Sequence, residues 1–267
     1  MLLKLALALV LPVTLAVAQP EKTSWDILKE GLKDKNPDVR RQAVTATGSI
    51  GLTPEAIKLV EDSLRDDDPL VRQTAAAELG DMKSKQSIPA LKAALDDEGE
   101  VAFAAAKSLW DLGDRSSSLS FIEDVAAGQQ KTSQGMVSGA IRDAKQKAHD
   151  PKALALMGFR EASGAVLGPF NMGLVAAEQA MKDGTASARV LSISLLAKEC
   201  DSVTLQLIEK ACVNDKNWAV KAGAAKALGQ CGNPEAIPTL ERNLSDSHPA
   251  VKFMSAGAIL RLSEPRK

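Results

Sequence analysis

The sequence predicts an all-α protein, a right-handed α-solenoid of about seven two-helix repeats. The first observation is a recurring phrase: segments starting at Val71, Val220 and Val251 share an apolar first residue, a basic second residue and a small-residue centre. The second is their spacing, because Val71 follows Val39 by 32 residues and Val251 follows Val220 by 31. The third is an aromatic content of only 3%. Alanine and leucine must therefore fill the core, which favours closely packed helices over a sheet.

The first 18 residues have the pattern of a secretory signal peptide. Lys4 precedes an apolar run over residues 5–15, and Ala16-Val17-Ala18 supplies the small residues that a signal peptidase requires. The alternative is a retained membrane anchor, but the run is shorter than the about 20 residues that span a bilayer. We therefore expect cleavage between Ala18 and Gln19, a bacterial periplasmic or secreted protein, and no stable membrane insertion after cleavage.

The charge balance argues against a nucleic-acid partner. Without the first 18 residues the chain carries 32 basic and 34 acidic residues. A nucleic-acid-binding surface needs a marked basic excess. We therefore expect protein partners, whose identity the sequence does not reveal.

Each repeat is predicted to contain two antiparallel helices, A and B. In the second repeat Thr53 is the expected N-cap of helix A, and Asp68 that of helix B, with a proline following each cap. Helix B should run from about Leu70 to Leu79, and Gly80 should begin its exit. Small residues at the centre of each helix B should let neighbouring repeats approach closely.

This pattern resembles the HEAT-repeat family of the armadillo-type fold, in particular its short bacterial phycobilisome-lyase-type repeats. The resemblance is carried by Asp66-Asp-Asp-Pro-Leu-Val-Arg72, Ala75-Ala76, Leu79-Gly80, and the helix A openings at 87–91 and 233–240. It covers about 25–115 and 185–263. The resemblance is specific for the fold, but it indicates very little about the function.

The segment at about 116–184 departs from the repeat pattern. It is interpreted as two degenerate repeats or an insertion, with helices expected at 118–127, 134–148 and 171–181. Its part 151–170 is rich in Ala, Gly and Met. Two readings are open: an adaptable apolar binding surface, or a plug that fills the core where the repeat degenerates. The side chains concerned are Met157, Phe159, Phe170 and Met172.

A basic residue follows the first valine of helix B in several repeats. It could form a cationic stripe for an acidic partner, or a structural ladder in which each base pairs with an aspartate of the turns, such as Asp34, Asp66 or Asp215. The acids are present in matching number, so we favour the ladder. Its predicted members are Arg40, Arg72, Arg189, Lys221 and Lys252.

Trp218 occupies the column that holds proline in the turns of three other repeats. A turn position predicts partial exposure. The side chain then serves either as an anchor for a binding partner or as a contact to the neighbouring repeat.

Three cysteines follow the signal segment: Cys200, Cys212 and Cys231. Export would permit disulfides. Cys200 and Cys231 occupy similar positions in adjacent repeats, and helices pack at roughly 8–10 Å, whereas a disulfide tolerates Cα separations of roughly 4.4–6.8 Å. We therefore expect three free, packed thiols rather than a disulfide.

No residue pattern indicates catalysis. The chain has two histidines, His149 and His248, and neither stands at a metal-ligand spacing or forms the His-Glu pairs of HEAT-like di-iron hydroxylases. We expect a non-catalytic, cofactor-free interaction scaffold that binds through the concave face of the B helices near Val71 and Val101. The alternative is a tetrapyrrole-lyase-like or apolar-ligand-carrying protein that uses 151–172. Terminal truncation should be tolerated better than central deletion.

Overall fold

The computed structural model describes residues 20–127 and 184–264, which are helices joined by short turns, without a strand in either range. The first range contains α1 (Pro20–Gly31), α2 (Pro37–Gly48), α3 (Pro54–Asp62), α4 (Pro69–Asp81), α5 (Ile88–Ala93), α6 (Gly99–Asp111) and α7 (Arg115–Ala126). The second contains α8 (Gly184–Leu196), α9 (Ser202–Asn214), α10 (Trp218–Cys231), α11 (Ile237–Glu241) and α12 (Pro249–Ser263). The predicted all-α solenoid is confirmed. In both ranges, no helix combines the length and the hydropathy that a membrane span needs.

The helix starts follow the predicted caps. The Thr53 side chain accepts a backbone N–H of α3, and the Asp68 side chain accepts two at the start of α4. Helix α4 continues to Asp81, so Gly80 lies inside the helix rather than at its exit. The reason is packing: a Cβ on Gly80 would collide with Ser108 of α6. The glycine lets two B helices touch.

A column of fully buried aliphatic side chains runs through the B helices. Leu79, Leu109, Leu228 and Ile259 hold the same position in α4, α6, α10 and α12, and each is excluded from solvent. Burying a side chain of this size stabilises the fold by roughly 1.5–3 kcal/mol. Because each repeat presents this column to its neighbours, the repeats share one continuous core.

The last described helix contacts the first two, because α12 packs against α1 and α2 as well as against α10. We call this contact the closure of the chain. The ring of Phe253 in α12, for example, lies against Gly31 at the end of α1. The B helices of the two described ranges therefore form one row in the order α8, α10, α12, α2, α4, α6. The two terminal repeats are neighbours within this row. Removing a terminal repeat would therefore break a contact inside the row. Terminal truncation is for this reason no longer expected to be tolerated better than central deletion.

The joint between α12 and α2 is tight. A Cβ on Gly257 would lie 2.5 Å from the carbonyl oxygen of Ala46. One turn later, Arg261 Nη1 donates to the carbonyl oxygen of Ser49 at 3.0 Å. At Gly257 the backbones of the two helices are thus in direct contact. At Arg261 a charged side chain provides the hydrogen bond that the carbonyl oxygen at the end of α2 lacks within its own helix.

The expectation of three free thiols is wrong, because Cys200 and Cys231 form a disulfide with a Cα–Cα separation of 5.4 Å. The distance between helix axes was the wrong measure. Cys200 lies in the turn beyond α8 with φ +51°, and Cys231 is the last residue of α10. Facing backbone atoms approach much more closely than the axes do. Cys212 is free and buried, and burial raises its pKa to about 12.

Candidate functional site: the inner face of the row

Exposed side chains of the B helices include a group of charges in α4 and α6. We call the surface formed by Ala77 and Asp81 of α4 and Lys107 and Asp111 of α6 the inner face. These residues stand at i and i+4 on their helices and therefore project from one side of each. In α10 and α12 most residues are buried, although Gln230 and Arg261, which stand at the position of Asp81, are exposed. Val71 and Val101 are themselves buried, and the contact zone predicted near them stays a prediction.

Charges line the inner face. Lys107 Nζ and Asp111 Oδ2 form an exposed ion pair at 2.7 Å. Asp81 is exposed as well, but it stands inside the curve of the row, where surrounding protein removes part of its hydration. This desolvation raises the pKa of Asp81, while Lys226, Lys107 and Lys83 oppose the rise.

A glutamate and a lysine are buried beneath this face. Glu78 of α4 is 4% exposed and Lys226 of α10 is 7% exposed. Their helices are separated in the row by α12 and α2, so the two side chains can come within electrostatic range only on the inside of the curve. The pair locates the centre of the concavity.

Glu78 departs from the repeat pattern. The equivalent position is small in four other described B helices, Ala46 in α2, Ser108 in α6, Ala227 in α10 and Ala258 in α12, and is Leu195 in α8. Gly48 of α2 provides the space, since a Cβ there would collide with the Glu78 carboxyl group. Neither Glu78 nor Lys226 was predicted from the sequence, and the available signal was the charge of Glu78 in a column that is otherwise uncharged.

Burial dominates the electrostatics of the pair. It raises the pKa of Glu78 to about 8, and Lys226 opposes that rise. It also lowers the pKa of Lys226, against the attraction of Glu78 and Asp81. Both shifts reflect the cost of holding a charge away from water.

The predicted ladder is formed in its first two rungs by bidentate pairs. Arg40 Nε and Nη2 donate to the Asp66 carboxylate at 2.8 and 2.7 Å, and Arg72 binds Asp97 through the same atoms at 2.8 Å each. Each arginine thus reaches the acid in the turn of the next repeat. The hydrogen bond from Arg72 holds the pKa of Asp97 below its usual range, and partial burial opposes the effect.

The ladder continues in the second range and stops at its last base. Lys252 makes no ion pair with the residues of 20–127 and 184–264. Asp34, one of the expected acids, instead accepts the N–H of Asn36 through its side chain, and its carbonyl oxygen accepts Arg40 Nη1. The two further rungs are Arg189–Asp215 and Lys221–Asp246. Four of the five predicted bases are therefore neutralised within the stack.

Trp218 takes the packing alternative. Its ring stacks on His248 of the next repeat with centroids 3.9 Å apart and an interplanar angle of 8°. His248 also caps α12, because its ring nitrogen accepts the N–H of Ala250. Burial lowers the pKa of His248, and Asp246 opposes this.

Four predicted contact residues lie outside the described residues, as does the whole of 151–172. Their role as a binding surface or a core plug stays a prediction. The residues concerned are Met157, Phe159, Phe170 and Met172. Within the described ranges, no group of three His, Cys, Asp or Glu side chains could hold a metal ion.

Comparison with known proteins gives a family match. The family model for HEAT repeats matches residues 13–76, 58–132 and 175–267. Among solved structures, the chain is similar to human deoxyhypusine hydroxylase in complex with glycerol, with 18% identity and a TM-score of 0.36, over 91% of this chain and 96% of that one. A likeness at this level assigns no function. No curated protein matches the chain.

Proposed function

Because the chain belongs to the HEAT-repeat family, we propose that it is a non-catalytic scaffold that binds a protein partner through the inner face of α4 and α6. The supporting observation is the group of accessible charges on α4 and α6, the last two helices of the row. Asp81, Lys107 and Asp111 face solvent inside the curve. Stacked repeats commonly bind partners on such a concave surface.

The chemistry of the inner face favours a partner segment that carries both signs of charge. Asp81 is an acceptor without an ion-pair partner among the described residues, and the Lys107–Asp111 pair offers one cation and one further acceptor. Ala77, one turn before Asp81 on α4, is half-buried, and its small side chain leaves space for an apolar side chain of the partner. Complementary charges would fix the register of the segment and add to its association rate.

The same proposal includes export. The first 18 residues carry the basic, apolar and small-residue regions of a signal peptide. We propose that the scaffold works in the periplasm or outside the cell. Mass spectrometry of the protein purified from that compartment should find Gln19 at the N-terminus, and a start at Met1 would contradict this part.

Photocrosslinking tests the binding face. A photoreactive amino acid at Ala77 or Lys107 should capture one dominant protein in the export compartment. The matched control is Lys58 on α3, which forms an i,i+4 ion pair with Asp62 at 2.7 Å, the same spacing and length as the Lys107–Asp111 pair. Capture at Lys58 equal to that at Lys107, or at neither position, would contradict the inner face as the binding site.

Charge removal gives a second readout. Lys107→Ser with Asp111→Ser should weaken recovery of the captured partner at least tenfold, because two complementary charges are lost. Lys58→Ser with Asp62→Ser should leave recovery unchanged, since it removes an equivalent exposed pair from an outer helix.

A further inference from the structure

Arg41 is a buried cation in a column that is otherwise uncharged. It stands two residues after the first valine of α2 and is 5% exposed. The equivalent residue is glutamine in α4 and apolar in the other described B helices: Gln73, Phe103, Val190, Ala222 and Phe253. A buried guanidinium is costly unless hydrogen bonds or a close opposite charge compensate it. Arg41 therefore calls for an explanation other than packing.

The guanidinium of Arg41 lacks most of this compensation. Its Nε and Nη2 atoms are both buried, and neither has a hydrogen-bond partner among the described residues. The one ion pair of Arg41 within the same residues is with Asp38, whose Oδ1 lies 3.5 Å from Nη2. Asp38 belongs to the same helix, and its side chain is half exposed. It therefore approaches one end of the guanidinium from the solvent side and leaves Nε without an acceptor.

The same two nitrogen atoms bind carboxylates elsewhere in the stack. We call the edge formed by Nε and Nη2 the fork. The fork of Arg40 holds both oxygens of Asp66 at 2.8 and 2.7 Å, and the fork of Arg72 holds those of Asp97 at 2.8 Å each. The spacing of the two N–H groups matches that of the two carboxylate oxygens, so such pairs are strong and specific. Arg41 presents the same fork in a buried setting, where a carboxylate would satisfy both nitrogen atoms.

We propose that the fork of Arg41 binds a carboxylate group at the joint between the first and second repeats. Phe253, the equivalent residue of α12, lies against Gly31 of the repeat that follows in the row. By the same register Arg41 of α2 faces the repeat of α4, the next helix of the row. The two oxygens of the ligand accept hydrogen bonds from Nε and Nη2, on the side that Asp38 borders. The exposed side chain of Asp38 changes rotamer rapidly and can make room for the ligand.

Two kinds of ligand carry this group: a free small carboxylate, and an aspartate or glutamate side chain of a bound protein. The site does not use the inner face, so it is independent of the binding function proposed above. Asp38 is negatively charged and opposes either ligand, so Asp38→Asn should strengthen binding. Without a ligand the charge of Arg41 adds little to stability, and Arg41→Met should leave the urea midpoint of unfolding nearly unchanged.

Titration of the full-length protein with sodium acetate, followed by NMR of the arginine Nε–H groups, tests the site. The Arg41 signal, identified by its absence in Arg41→Lys, should move with acetate and saturate in the millimolar range. The matched control is the Nε–H of Arg40, the adjacent residue, whose fork already holds Asp66 and whose signal should stay in place. Sodium chloride at equal ionic strength should move neither signal to saturation, because chloride lacks the pair of oxygens that fits the fork.

The same titration with a blocked aspartate, acetyl-Asp-amide, distinguishes the two kinds of ligand. Tighter binding than that of acetate assigns the site to an acidic side chain of a protein. Equal or weaker binding assigns it to a small free carboxylate.

Other results overturn the site. An Arg41 signal that does not move with acetate, or moves equally with chloride, means that the fork binds no carboxylate. If Asp38→Asn alone moves the signal as far as acetate does in the unmodified protein, Asp38 already occupies the fork. A urea midpoint lowered in Arg41→Met as much as in Arg72→Met means that the guanidinium has a structural acceptor. If Arg41→Lys does not fold, Arg41→Met supplies the assignment, and the comparison of Arg41 with Arg40 still decides.

Discussion

The closure of the chain predicts opposite effects for two glycine substitutions on the B helices. Gly257 of α12 faces the backbone of α2, and an added Cβ would stand 2.5 Å from the carbonyl oxygen of Ala46. Gly223 of α10 is the matched control, because its added Cβ would meet only the two methyl groups of Val190, at 3.4 and 3.7 Å. Both glycines lie inside helices, so alanine raises helix propensity equally at each.

The magnitude follows from these distances. Alanine in place of glycine favours a helix by about 1 kcal/mol, and Gly223→Ala should gain most of this. Gly257→Ala gains the same amount but requires α12 to move away from α2 by nearly 1 Å, since a backbone carbonyl cannot rotate aside. Overpacking of this kind costs about 1–3 kcal/mol. The free energies of unfolding of the two variants should therefore differ by about 1–3 kcal/mol, with Gly257→Ala the less stable.

Urea unfolding followed by helical circular dichroism measures this difference directly. Using the difference between the two variants removes the shared helix-propensity gain. If Gly257→Ala is as stable as Gly223→Ala, α12 does not pack on α2 and the reasoning about closure fails.

Three further predictions concern other parts of the stack. Reducing the Cys200–Cys231 disulfide, whose residues are 31 apart in the sequence, should lower the free energy of unfolding by about 3–4 kcal/mol, because the unfolded chain is no longer constrained by the closed loop. A thiol titration of the denatured, unreduced protein should find one free thiol, and three free thiols would contradict the disulfide. Arg72→Met should lower the free energy of unfolding in urea by about 1–3 kcal/mol, because it leaves the partly buried carboxylate of Asp97 without its partner. Lys58→Met removes an exposed ion pair and should change the free energy of unfolding very little. Equal losses in the two variants would contradict a structural role of the ladder. Since burial lowers the pKa of His248 below 6.5, the folded protein binds fewer protons there than the unfolded chain, and stability should fall as the pH drops below 6.5. The NMR titration of this imidazole, assigned by its absence in His248→Asn, should have its midpoint below 6.5, and a midpoint above that value would refute the assignment.

The repeat columns predicted the helices well because cap chemistry is local. Thr53 and Asp68 cap the helices as expected, since a short polar side chain before a proline defines a helix start by itself. The ladder pairs were predictable for a similar reason, because a fixed period brings each base to the acid of the next repeat.

Closure could not be predicted, because all B helices carry similar small-residue faces. Nothing in such a face indicates whether its neighbour in space is the next repeat along the chain or one from the other end. The disulfide depended on the turn at Cys200, whose positive φ a sequence column does not reveal. Glu78 was visible as the charged exception to its column, but its burial depends on how α4 packs against Gly48 of α2.

The meeting of the first and last helices also constrains how the protein is synthesised. Ser49 leaves the ribosome 212 residues before Arg261, its partner across the joint. Contacts between such distant residues form late and slowly. Until α12 is made, the side of α1 that receives Phe253 has no partner from that helix. A nascent chain stalled before Pro249 should therefore leave α1 open to proteolysis, and release of the finished chain should protect it.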